Sequence, residues 1–90
     1  MVRSVILHRV KDYDAWRQVY DGFADVQRQG GVQAEEVLRS LDDPNDVLVT
    51  YDFADEATAR AFLSSSEFHD AMGRAGVDGP PQLIWFGSIA

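Results

Sequence analysis

VQAEEVLRSLDDPNDVLVTYDF, residues 32–53, decides the fold. Two runs rich in Val and Leu flank Asp42-Asp43-Pro44-Asn45-Asp46. Pro44 brings no amide, and the Asp and Asn side chains bond readily to nearby backbone, so these five residues read as a turn. Residues 32–41 and 47–53 then read as strands two and three, paired as a hairpin. In the earlier strand Val37, Arg39 and Leu41 alternate with Leu38 and Ser40, which leaves no clean wet face. In the later one Val47, Val49 and Tyr51 share the face expected to meet helices, and Thr50 and Asp52 share the other.

Upstream, residues 2–10 form a strand rich in β-branched and aliphatic side chains. Val5, Leu7 and Arg9 alternate with Ser4, Ile6 and His8. Asp12 is placed to cap a helix over residues 12–29. In that helix Trp16, Val19, Tyr20, Phe23 and Val26 make one apolar stripe, with Arg17, Asp21, Asp25 and Arg28 opposite. Gly22 costs about 1 kcal/mol of helix propensity relative to Ala, which close packing would explain. Gly30-Gly31 ends the helix.

Downstream, Asp55 caps a second helical stretch whose apolar side carries Ala59, Phe62 and Leu63. Ser64, Ser65 and Ser66 interrupt it, and Ser65 or Ser66 caps a further segment that turns Phe68, Ala71, Met72 and Ala75 inward. Gly76 and Gly79-Pro80-Pro81 break the chain before a last strand, residues 82–86. There Leu83 and Trp85 share one face, and Ile84 and Phe86 the other.

The order β-α-β-β-α-β describes an α+β protein: a ferredoxin-like split βαβ unit with a four-stranded antiparallel sheet. Strand order 4-1-3-2, with all helices on one sheet face, satisfies right-handed crossovers. The other face then lacks cover. It is expected to display Ile6 and His8, Leu48, and Leu83 or Trp85 according to register. Apolar surface left in water costs roughly 25 cal/mol per Å². Pairing two sheets face to face removes that cost, so a homodimer enclosing a cavity, a dimeric α+β barrel, is expected. Residues 1–90 are read as a single domain.

Fifteen acidic against eight basic residues give a net charge of −7. Nucleic-acid phosphates and anionic membranes repel such a surface. The absence of cysteine excludes disulfides, thiol catalysis and thiolate metal sites. Residues 2–7 are too short for a signal or membrane segment and include Arg3, so a cytoplasmic protein is expected.

Four stretches carry a resemblance that spans nearly the full chain: HRVKDYDAW at 8–16, Gly31-Val32, DDPNDVLVTYDFADEATARAFLSS at 42–65, and AGVDGPP at 75–81. The chain resembles the antibiotic-biosynthesis-monooxygenase-like family of the dimeric α+β barrel superfamily. The resemblance implies a ferredoxin-like protomer and a homodimer. It implies an activity from a range that includes cofactor-independent oxygenation of polycyclic phenols to quinones, haem degradation, lactone isomerisation and polyketide cyclisation. Phe53 holds the place of an aromatic that often ends strand three, and Phe62 stands where many relatives have histidine. In haem-degrading relatives, the strand-one asparagine position matches His8 and the haem-ligating histidine matches approximately Ala71. His69 is two residues away, turned by about 200° around a helix, so no haem is expected and no other cofactor is implied.

His8 is the candidate catalytic residue, since an imidazole can take a phenolic proton near neutral pH. Its plainer reading is a hydrogen-bonded structural histidine. Ile6, Thr50, Asp52, Phe68, Met72, Leu83 and Trp85 are the candidate substrate-binding residues. His8, His69 and scattered acids form no metal motif. The expected function is cofactor-independent oxygenation of an aromatic or polyketide-like small molecule. A polyketide cyclase or isomerase is one alternative; a non-enzymatic protein that binds a hydrophobic metabolite is the other. The expected partners are a second copy of the chain and a hydrophobic or aromatic small molecule.

Overall fold

The computed structural model describes residues 1–88. Its elements are β1 (Val2–Val10), α1 (Tyr13–Gly22), α2 (Ala24–Gln29), β2 (Ala34–Arg39), β3 (Asp46–Phe53), α3 (Glu56–Leu63), α4 (Ser66–Arg74) and β4 (Val77–Gly87). One antiparallel sheet runs β2-β3-β1-β4. This is the ferredoxin-like α+β arrangement, in the strand order expected.

Short-range chemistry starts α1, α3 and α4. Asp12 accepts from the amides of Asp14 (2.9 Å) and Ala15 (3.4 Å) at the start of α1. Asp55 accepts from Thr58 (2.8 Å) and Ser65 from Phe68 (3.2 Å) in the same way. The expected single helix over residues 12–29 is broken at Phe23. There the amide bonds back three residues to Tyr20 (3.0 Å), a tightened turn that ends α1 and buries the Phe23 ring. Gly22 is not explained by packing: a Cβ there would meet no described atom within 4 Å. Gly30 is explained. A Cβ there would collide with the Phe62 ring, so α2 and α3 meet only because that position is bare. β2 is shorter than expected. β4 is longer and absorbs Gly79-Pro80-Pro81 as an irregularity at the sheet edge, where proline's missing amide is tolerated.

The sheet faces are assigned by β3, whose alternation is strict: Val47, Val49, Tyr51 and Phe53 are all buried. Ile6 pairs with Val49 and Leu83, Ser4 with Tyr51 and Trp85, and His8 with Val47. All of these residues therefore look toward the helices, and Ile6 is only 2% exposed. This corrects the expectation that Ile6, His8 and the Leu83–Trp85 side of β4 sit on the uncovered face. Both faces of β1 are apolar, so its own pattern could not decide; pairing to β3 decides. The uncovered face instead carries Val5, Leu7, Leu38, Leu48, Ile84 and Phe86, with Arg3, Thr50 and Asp52 among them. Leu38 and Phe86 are 51% and 56% exposed.

Candidate functional site

A cavity of about 40 Å³ lies between the sheet and the helices α1 and α4. Ile6, His8, Val49 and Tyr51 floor it, Trp16, Val19, Tyr20 and Phe23 wall it from α1 and its end, and Phe68, Ala71 and Met72 wall it from α4. The walls are almost wholly apolar, so each polar group among them weighs heavily.

His8 is the first. Both ring nitrogens are buried, and neither has a hydrogen-bond partner among the described residues. The ring sits 5.5 Å from that of Trp16. Burial pushes the imidazole pKa below its ordinary 6.5, because desolvation penalises the charged form. A neutral imidazole with a free lone pair is the form that accepts a proton. The backbone also singles out this residue. Between the pairs Leu7–Gln82 and Arg9–Asp78, β1 has only His8, while β4 has Gly79, Pro80 and Pro81. Such bulges bend a strand and re-aim the side chain beside them.

The second polar element is a chain of side chains on the wall. The buried Gln27 donates from Nε2 to the Tyr51 hydroxyl at 2.8 Å. Tyr20 donates its hydroxyl proton to Glu35 Oε2 at 2.5 Å. Burial raises both phenol pKa values, and for Tyr20 the bond to Glu35 adds to the rise, so both stay protonated. Gln27 and Glu35 were not identified from sequence. A glutamine three and four residues after Ala24 and the buried Phe23, and a glutamate opposite Tyr51 in the hairpin, were the signals present.

Of the residues singled out from sequence, Ile6, His8, Phe68 and Met72 come together here. The others do not. Thr50 and Asp52 lie on the opposite sheet face, where Asp52 is held by the Arg3 guanidinium at 2.7 and 2.9 Å. That pairing keeps the Asp52 carboxyl below its usual range. Leu83 is 39% exposed near the sheet edge. Trp85 shares the helix-facing side but is covered by the Arg60 guanidinium, 4.8 Å from its ring centre. The helix segment matched to haem ligation turns Ala71 into the cavity and His69 into an outer groove beside Gly22 and Arg74. Ala71 offers no atom that coordinates iron. Among the described residues no group of three or more His, Asp or Glu side chains gathers to hold a metal ion.

The model for antibiotic biosynthesis monooxygenases matches residues 7–74, three quarters of the chain and every wall of the cavity except Ile6 and Ala75. The chain belongs to the antibiotic biosynthesis monooxygenase family. Solved structures share the family's fold. SnoaB, a cofactor-independent oxygenase from Streptomyces nogalater, superposes with a TM-score of 0.80 at 17% identity, over 99% of this chain and 93% of that one. A candidate antibiotic biosynthesis monooxygenase from Bordetella bronchiseptica gives 0.82 at 13% identity, over 99% and 97%. A conserved protein from Methanosarcina mazei gives 0.77 at 14% identity, over 94% and 89%. No curated protein sequence matches this family member. Among its described residues no helix is long and apolar enough to cross a membrane.

Proposed function

We propose that this chain is a monooxygenase that oxidises a phenolic aromatic or polyketide-like molecule between the sheet and the helices α1 and α4, without a resident prosthetic group. The observation that carries the reading is His8: a buried imidazole with two unpartnered nitrogens in the wall of an apolar cavity, in a chain of this family. An unpaired buried polar group costs stability, and a substrate hydroxyl would end that cost. His8 takes the phenolic proton, and the apolar walls exclude water around the electron-rich anion. Oxygen then reacts with the substrate carbon. A ring CH₂, the keto form of the phenol, becomes C=O; one oxygen atom stays on carbon and the other leaves as water with both hydrogens. The substrate supplies all the electrons.

The cavity of about 40 Å³ is far smaller than the roughly 150 Å³ that admits benzene in an engineered protein core. Substrate entry therefore requires α4 to move outward and Met72, a flexible side chain, to repack. The same observation favours a second reading, in which the cavity is ordinary core and the protein is a non-catalytic accessory. Association of two copies through the uncovered sheet face completes the proposal, with Val5, Leu7, Leu38, Leu48, Ile84 and Phe86 at the seam.

Incubation with 1,8-dihydroxyanthrone and related phenols under ¹⁸O₂, followed by mass spectrometry, tests the reading. One labelled oxygen per product is expected, with His8→Ala slowed by about 10²–10⁴-fold. Rearranged product without label would make the protein a cyclase or isomerase. No turnover across the panel would favour the accessory role.

A further inference from the structure

Tyr13, Trp16 and Tyr20 follow one another along one side of α1. The Trp16 ring lies 5.7 Å from that of Tyr13 and 4.9 Å from that of Tyr20, and it is stacked on the latter at 23°. Trp16 and Tyr20 are buried and line the cavity. Packing accounts for the stack. It does not account for the way the stack ends. The buried Tyr20 phenol holds its proton against Glu35 in a bond of 2.5 Å, and Glu35 belongs to the exposed edge strand β2. Tyr13 has a different neighbour: the Arg39 guanidinium stands 3.7 Å over its ring.

These neighbours separate the two tyrosines by redox chemistry. A phenol gives up an electron readily only as its proton leaves, because the phenol radical cation is a very strong acid. For Tyr20 the base that takes the proton is already in place. The cation over Tyr13 opposes loss of an electron there, since two positive charges would meet. Arg17 stands farther from Tyr20, at 5.3 Å, and its charge does not oppose the loss of electron and proton together, which leaves the ring neutral. The chain has no cysteine to take up an oxidising equivalent, and Met72, a residue open to sulfoxide formation, lines the same cavity.

We infer that Trp16 and Tyr20, with Glu35 as proton acceptor, form a one-electron route that carries an oxidising equivalent from the cavity to the β2 edge. The oxidant is a peroxyl radical of the substrate, formed when oxygen adds to a substrate radical; its identity rests on the monooxygenase reading. The peroxyl radical takes an electron from Trp16 and the proton that His8 holds, and becomes a hydroperoxide. The Trp16 radical cation takes an electron from Tyr20 as the Tyr20 proton passes to Glu35. A thiolate in solution then gives an electron to the Tyr20 radical, Glu35 returns the proton, and the thiolate leaves as a thiyl radical. Trp16, Tyr20 and Glu35 end as they began, and Met72 is spared.

Flash photolysis tests the route without substrate. Trp85→Phe leaves Trp16 as the only indole. A flash at the red edge of the indole band, with nitrate to consume the ejected electron, makes the Trp16 radical. Its absorption should decay as tyrosyl absorption rises, at one first-order rate that does not depend on protein concentration. Adding Tyr20→Phe should slow the decay by about tenfold or more. Glu35→Gln should slow it by about as much, because the amide oxygen keeps the hydrogen bond but is no base. Adding Tyr13→Phe should leave the rate unchanged. Glu35 is exposed on an edge strand, so its variant keeps the core and decides the matter even if Tyr20→Phe does not fold. The absence of a tyrosyl rise, a rise that survives Tyr20→Phe, or a rate indifferent to Glu35→Gln overturns the inference. Labelled product without the transfer would remove the route and keep the monooxygenase reading; the transfer without turnover would remove that reading and its peroxyl oxidant, and keep the route.

Discussion

At the scale of the residue, the role proposed for His8 sets chemistry against stability. Its two unpartnered nitrogens are buried beside Trp16, so an apolar ring of similar shape should be better tolerated. His8→Phe is expected to raise the unfolding free energy by about 1 kcal/mol in urea titrations while abolishing turnover. A hydrogen-bonded structural histidine would show the opposite change in stability. The pH dependence has a definite sign. Folding lowers the His8 pKa below 6.5, so its contribution to stability is complete above that value and is lost as pH falls through the lower folded value. Proton acceptance by His8 should fade over the same range, and an NMR titration of the ring should give a midpoint under 6.5. Gln27 and Tyr51 behave as a pair. Gln27→Leu or Tyr51→Phe alone leaves a buried group unsatisfied and should cost about 1–3 kcal/mol, whereas the double variant should cost much less than the sum in a thermal-unfolding cycle. Sequence could place Tyr20 and Tyr51 inward but not join them to Gln27 and Glu35. Those contacts depend on how α2 sits over the hairpin, which no local pattern encodes.

At the scale of the element, two glycines test opposite claims. Gly30→Ala forces the Phe62 ring aside in a core where Phe23, Phe53, Tyr51 and Phe68 surround it, and should destabilise by about 1–3 kcal/mol. Gly22→Ala places a methyl in open space at the end of α1 and should stabilise by up to about 1 kcal/mol. Circular-dichroism melts of the two variants decide both. The elements themselves were legible wherever chemistry is local. Asp12, Asp55 and Ser65 cap the helices as their types suggest, and the turn around Pro44 joins β2 to β3. The break at Phe23 was not legible, because the apolar stripe from Trp16 to Val26 runs through it without a change of period. The extension of β4 through Gly79-Pro80-Pro81 was hidden for the converse reason: residues that usually end a strand are accommodated at an edge.

At the scale of the whole molecule, strand order followed from right-handed connections, but which face stays bare did not follow from β1 alone, because both of its faces carry apolar residues. The strict alternation of β3 and the pairing of His8 with Val47 contain the answer, and combining them places His8 under the helices. The seam of the proposed dimer moves accordingly. Leu48→Lys or Phe86→Asp should shift sedimentation equilibrium toward a 10 kDa species, while Ile6→Val, on the covered face, should leave association unchanged. A folded parent that stays monomeric at all concentrations would remove the dimer from the proposal. The sheet's two borders bear on a different hazard. Every open β-sheet offers its outermost strands as templates for further strands, the first step toward fibrils. Here one border, β2, presents Glu35, Glu36 and Arg39, and the other, β4, contains Pro80 and Pro81, which have no amide to donate, beside a bulge that interrupts the ladder. The bulge at His8 therefore does a second service: growth by strand addition is blocked at both borders, and the faces are left as the route by which copies of this chain can meet.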